Sequence, residues 1–185
     1  MREFELQSGL YDEQPVIEEK YLKKYYHKVK DKLDDFFKRH IGRQPYLGRI
    51  KIKLCKLPTY LYKVGNKIGI SKIFGAYEPS SNSVYIDPVC LPELNDPERA
   101  YLKKYFRIPS AERTLAEELV HADQTNSGII SKSIYKYGKR AREYIEGAAA
   151  HIADMIYGYT DAYKSWKERF RRAMGSLGLR KAYYL

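Results

Sequence analysis

Charged residues dominate the chain from Val16 to about His40, but Val29, Leu33, Phe36 and Phe37 recur among them at spacings of three and four. That spacing predicts a helix with one apolar stripe, which Gly42 and Pro45 bring to an end. The period then changes. Across residues 49–57, Ile50, Ile52 and Leu54 alternate with lysines, the pattern of a half-buried strand, and Pro58 closes it. Two further extended runs cover residues 67–74 and 83–87. The stretch between them, residues 75–82, is dense in turn formers, which predicts that the two runs pair as a hairpin. The last half reads as helical. Asp96-Pro97-Glu98 and Pro109-Ser110 are helix starts, and the second helix should run through His121 and fray near Asn126 to Gly128. Helical segments follow over residues 137–159 and 162–174, the latter basic and holding Trp166 and Phe170. Residues 1–15 are polar, lack a period and read as an arm. The pattern predicts one α+β domain over residues 16–185, mainly helical with a short twisted sheet.

Composition sets bounds on this picture. A chain of 185 residues with 44% hydrophobic and 31% charged content can bury one core without disulfide or metal staples. No run reaches the roughly 18 apolar residues of a membrane span, and the first residues lack the apolar core of a secretion signal. Cys55 and Cys90 sit in no Cys-x-x-Cys pair, so reduced thiols in an intracellular, cytoplasmic protein are the simplest expectation. Nineteen tyrosines beside few glutamines point to a thermophilic source. The net charge of +11 is dispersed, as on a solvated surface. It also leaves room for a nucleic-acid partner through two basic, aromatic-bearing stretches, residues 20–39 and 164–172.

The chemistry concentrates in residues 114–124, Thr-Leu-Ala-Glu-Glu-Leu-Val-His-Ala-Asp-Gln. On a helix Glu117 and His121 lie four apart on one face, with Glu118 beside them. One carboxylate and one imidazole there can grip a metal while the second carboxylate faces a bound water. In the next helical segment the apolar stripe is Ile145, Ala149, Ile152 and Ile156. Glu146 falls at its edge, whereas Glu143 and Asp154 fall on the far side. Gly147 and the alanines after it allow a close approach. A carboxylate at such an edge needs a partner. A metal is one, and Lys139, Arg140 or Arg142 are others. Asp123 and Asp154 read as plain surface carboxylates or as acids that orient His121 or a neighbour, and His151 as a polar residue at the surface or behind a ligand.

These segments resemble the zincin metallopeptidases. Residues 114–124 look like their active-site helix with the first histidine of His-Glu-x-x-His replaced by Glu117, and residues 144–150 look like the glutamate helix of the gluzincin branch. The resemblance covers residues 49–160. It implies His121 and Glu146 as metal ligands, Glu117 as the third, and Glu118 as general base of a metal-dependent peptidase. Zinc is the implied metal, and two carboxylate ligands also admit manganese or iron(II). The implied substrate is a peptide added as a strand along the edge near Val84 to Asp87. The altered ligand also leaves open a pseudo-metallopeptidase, a scaffold that binds without cutting.

Overall fold

The first apolar stripe seats helix α1 (Glu19–His40): Leu22, Val29, Leu33 and Phe37 are buried, while Lys30 pairs with Asp34 and Arg39 with Asp35 along its outer side. A computed structural model describes residues 19–64, 67–105, 107–158 and 163–184. The polar arm and the first residues assigned to this helix lie outside them.

Five strands follow: β1 (Lys51–Leu54), β2 (Thr59–Val64), β3 (Lys67–Lys72), β4 (Gly75–Glu78) and β5 (Ser83–Ile86). They form two sheets, one ordered β1-β5-β4 and one hairpin of β2 with β3. β1 runs parallel to β5, from Lys51 opposite Ser83 to Leu54 opposite Ile86. β4 is antiparallel to β5, with Gly75 opposite Ile86 and Glu78 opposite Ser83. The sequence pattern mispairs these strands. Residues 67–72 fold back on residues 59–64 and not onto β5. The alternating Tyr60, Tyr62 and Val64 beyond Pro58 form a strand of their own, because the proline ends β1 without preventing a new start. The turn-rich stretch itself contains β4, and the turn shrinks to Pro79–Asn82, with Asn82 left-handed at φ 47°. β5 therefore lies in the middle of its sheet, so Val84 to Ile86 are not an edge. Among the described residues no strand pairs with the other side of β4, so β4 is one edge of the sheet and β1 the other.

Asp87, fully buried, joins the two sheets: it accepts from the Leu57 amide at 2.7 Å and the Val89 amide at 3.0 Å and faces Lys72 Nζ at 2.7 Å. The helical half begins with α2 (Pro97–Leu102), whose cap Asp96 accepts from Glu98 N at 2.8 Å. Then come α3 (Ala111–Asn126), α4 (Ile129–Tyr137), α5 (Ala141–Tyr157), α6 (Lys164–Leu177) and α7 (Leu179–Tyr183). Ser110 caps α3, accepting from Arg113 N at 3.2 Å, as its place after Pro109 predicts. α3 is the centre of the molecule, packed on α1, α5, β4 and β5. Nine of its first eleven residues are buried, all but Glu112 and His121, and Arg113 and Thr114 are nearly as buried as Leu115. A helix enclosed on several sides has little amphipathic contrast, and its polar groups must all find partners. α4 and α7 are additions to the sequence reading. Gly128 at φ 73° turns the chain into α4, so the fraying at residues 126–128 is a sharp junction between two helices.

Candidate active site

Glu117 and Glu118 are buried on α3 and His121, one turn on, is half-buried. α5 brings Glu146 to them: His121 Nε2 lies 3.3 Å from Glu146 Oε2. The other imidazole nitrogen, Nδ1, is 3.0 Å from Gln124 Oε1, and Gln124 is itself fixed by donating to the Ile145 carbonyl at 3.1 Å. Arg142 approaches the second Glu146 oxygen at 3.6 Å. Glu118 stands under the edge strand. A Cβ built on Gly75 would lie 2.9 Å from Glu118 Cγ and Oε1 and 2.5 Å from Thr114 Cγ2, so only a glycine lets β4 lie this close to α3. Of the four residues singled out by the sequence, His121 and Glu146 meet directly, while Glu117 is bonded to Arg113.

Their charges are settled among themselves. Burial, reinforced by the carboxylates of Glu117 and Glu146 and opposed by His121, pushes Glu118 up to about 8. Burial works to lower His121, but the hydrogen bond and charge of Glu146, with Glu118 and Glu117 behind, lift it to about 9. Burial would raise Glu146, yet its bond to His121 holds it below the usual carboxylate range. The arrangement thus favours an imidazolium–carboxylate pair of His121 and Glu146 and the protonated form of Glu118.

Glu117 takes part differently. Its Oε2 accepts from Arg113 Nη1 at 2.6 Å. The same guanidinium donates to Asp154 Oδ1 through Nη2 at 2.8 Å and Nε at 3.1 Å, and Asp154 Oδ2 accepts from Lys167 Nζ at 2.5 Å. Lys167, on α6, is fully buried. The chain of alternating charge, Lys167–Asp154–Arg113–Glu117, runs through the core between three helices. Asp154 is therefore no surface acid: the side of α5 that looked solvent-facing is covered by α6. Gly147 permits that cover, since a Cβ there would sit 2.5 Å from the Trp166 carbonyl oxygen. His151 is buried by the same helix, against Phe170 and within 3.4 Å of Arg171 Nε. Asp123 orients no ligand. It accepts from Arg43 at 2.6 and 2.7 Å, the Tyr46 amide at 2.5 Å and the Tyr183 hydroxyl at 2.7 Å.

Arg113, bonded to Glu117, and Tyr163, near enough to feel the charges of the site, escaped the sequence reading. Arg113 was findable, because it stands four before Glu117 on one helix. Tyr163 was not. It precedes α6 in a left-handed conformation, φ 52°, with its ring stacked on Trp166. Partial burial and then the charges of Glu146, Glu117 and Glu118 push its phenol well above the ordinary value.

A zinc centre needs three donors converging on a point. His121 Nε2 and Glu146 Oε2 are spaced as two donors about 2.0–2.1 Å from one tetrahedral ion would be, about 3.3 Å apart. Glu117, turned to Arg113, is not the third, and among the described residues no three His, Cys, Asp or Glu side chains are placed to hold one ion. The donor set as it stands does not fit a three-ligand metal. Compared with known proteins, the chain matches no family model, no curated protein and no solved structure.

Proposed function

We propose that this chain is a zincin-like, peptide-binding domain whose site is neutralised by its own side chains, a pseudo-metallopeptidase. The observation that carries this reading is the bond from Arg113 to Glu117. It places a buried guanidinium on the carboxylate that would have to serve as first ligand, and Asp154 and Lys167 hold that guanidinium from behind. The zincin-like assignment is supported by the arrangement of an antiparallel edge strand lying on the helix that bears Glu118 and His121, with the glutamate of a second helix opposite. An extended peptide would add to the free side of β4, backbone to backbone, passing near the neutral Glu118 carboxyl, which can donate a hydrogen bond.

The 3.3 Å spacing of His121 and Glu146 favours a second reading, the metal-dependent peptidase, in which Glu117 leaves Arg113 to become the third ligand and Glu118 serves as base. Metal content separates the two. Protein purified without chelators or a histidine tag, then incubated with zinc, manganese or iron(II), is expected to retain far less than one equivalent by elemental mass spectrometry. Stoichiometric metal that disappears in His121→Ala, together with cleavage of an unfolded protein abolished by Glu118→Gln, would replace the scaffold reading with the peptidase. In Glu117→His, Arg113 keeps Asp154 and the ligand triad is restored, so zinc uptake is expected there if the arrangement is zincin-like at all.

A further inference from the structure

The two basic stretches that the sequence offers to nucleic acid are largely occupied. On α1, Lys28 pairs with Glu112 at 3.0 Å, Lys30 and Arg39 pair with acids of the same helix, and Lys32 lies over the Tyr157 ring. On α6, Lys167 is buried on Asp154, Arg169 pairs with Glu143 and Phe170 is in the core. A different segment has no such compensation. Residues 124–142 contain Lys132, Lys136, Lys139, Arg140 and Arg142 and not one acid. Among the described residues no carboxylate pairs with Lys132, Lys136, Lys139 or Arg140, and Arg142 alone leans toward Glu146.

The same segment shows aromatic and apolar surface. Tyr135 is 94% exposed and Ile134 56% exposed. Tyr137 and Tyr144 stack at 4.8 Å, both half-buried, with Lys136 over the Tyr137 ring at 5.2 Å. Lys132, Tyr135 and Lys136 share one face of α4 by their spacing. Gly138, at φ 53° and with open space where a Cβ would be, then swings the chain so that Lys139 and Arg140 follow on the turn into α5. Cations without anions attract phosphates. Flat rings set between them offer a platform on which unpaired bases stack.

We infer that the α4–α5 turn is a contact surface for single-stranded nucleic acid, with Lys132, Lys136, Lys139 and Arg140 on the phosphates and Tyr135 stacking on a base. The surface is independent of the site on α3, and a duplex, whose bases are already stacked on each other, fits it less well.

The test is fluorescence anisotropy of the full chain with labelled oligothymidylate and oligouridylate, at salt from about 50 to 200 mM. Binding should weaken steeply as salt rises. Lys136→Glu/Lys139→Glu/Arg140→Glu should lose about ten-fold or more at low salt, while the charge-matched Lys24→Glu/Lys32→Glu/Lys38→Glu on α1 should lose much less. Tyr135→Ser should lose about five-fold or more with the salt slope unchanged, and Tyr135→Trp should restore it. All substituted side chains are exposed, and circular dichroism confirms that each variant is folded. The inference is overturned if the oligonucleotides do not bind at low salt, if the α1 variant loses as much as the α4–α5 variant, if Tyr135→Ser has no effect so that the surface merely collects polyanions such as heparin, or if duplex binds more tightly than single strand.

Discussion

Arg113 carries two carboxylates at once, and removing it takes the guanidinium from buried Glu117 and from Asp154, which keeps Lys167. Breaking a buried pair on one side costs about 3–5 kcal/mol, because the remaining charge has no solvent to turn to. Arg113→Ala is therefore expected to lower urea-unfolding stability by at least that much, with Lys167→Ala nearly as severe, whereas Lys24→Ala on the surface of α1 should change it by less than about 0.5 kcal/mol. If Arg113→Ala proved nearly neutral, Glu117 and Asp154 would have to reach water or bind another cation, and the scaffold reading would lose its support. At this scale the sequence was informative about identity and poor about environment. Helical spacing put Glu117, Glu118 and His121 on one face and Glu146 at the edge of a stripe, and the resemblance to zincins supplied the expectation that the two helices meet there. That Glu117 points to an arginine and not to its fellow donors depends on a rotamer and on charges two helices away, which spacing does not encode.

Between elements, α5 and α6 approach closely at Gly147. Alanine at this position would gain about 1 kcal/mol in helix propensity, but its methyl would meet the Trp166 carbonyl oxygen at 2.5 Å. Backbone cannot swing aside as a side chain can, so α6 must move and Lys167 with it. Gly147→Ala is expected to destabilise the protein by about 1–3 kcal/mol net, read as a lower urea midpoint. A stabilised variant would show that α6 packs elsewhere. The helix starts at Asp96 and Ser110 were legible because their capping chemistry is local. The strand pairing was not, for each run of four to six residues is compatible with several partners, and the choice is made by contacts such as Asp87 with Lys72 that join distant positions. Asp154 was placed on the wrong side for the same reason: a stripe marks the most apolar side of a helix, not all the sides that neighbours will cover.

For the molecule as a whole, the site sets a pH dependence. The folded-state value of His121 lies above its ordinary 6.5, near 9, so its contribution is fully present below the ordinary value and is lost as pH rises through about 9. Glu118 rises from 4.5 to about 8. Its protonated form is the one the fold prefers, and the folded state is penalised progressively as pH climbs from 4.5 to 8. Both effects act in the same direction between pH 6.5 and 8. On the acid side Glu146, held below its usual range, loses its contribution as it protonates. Thermal stability is expected to be greatest at mildly acidic pH, about 5–6, and to decline toward pH 9. His121→Gln should flatten the alkaline limb in a melting series, and an unchanged slope in that variant would exclude His121 as its source. The absence of any helix long and apolar enough to cross a membrane among the described residues agrees with the sequence, as does the mainly helical α+β architecture.

The tether at Asp123 ties the order of synthesis to the order of assembly. This carboxylate of the central helix is buried with donors from residues 43, 46 and 183, so its shell is drawn from both ends of the described chain. While the ribosome is still adding the helices that follow α5, α3 has its partners from upstream but lacks the Tyr183 hydroxyl, and the Phe37 ring lacks the edge-on Tyr183 ring that covers it. Until α7 emerges the acid is held by Arg43 and the Tyr46 amide alone among these donors, and the last of them, the Tyr183 hydroxyl, closes its shell when α7 docks.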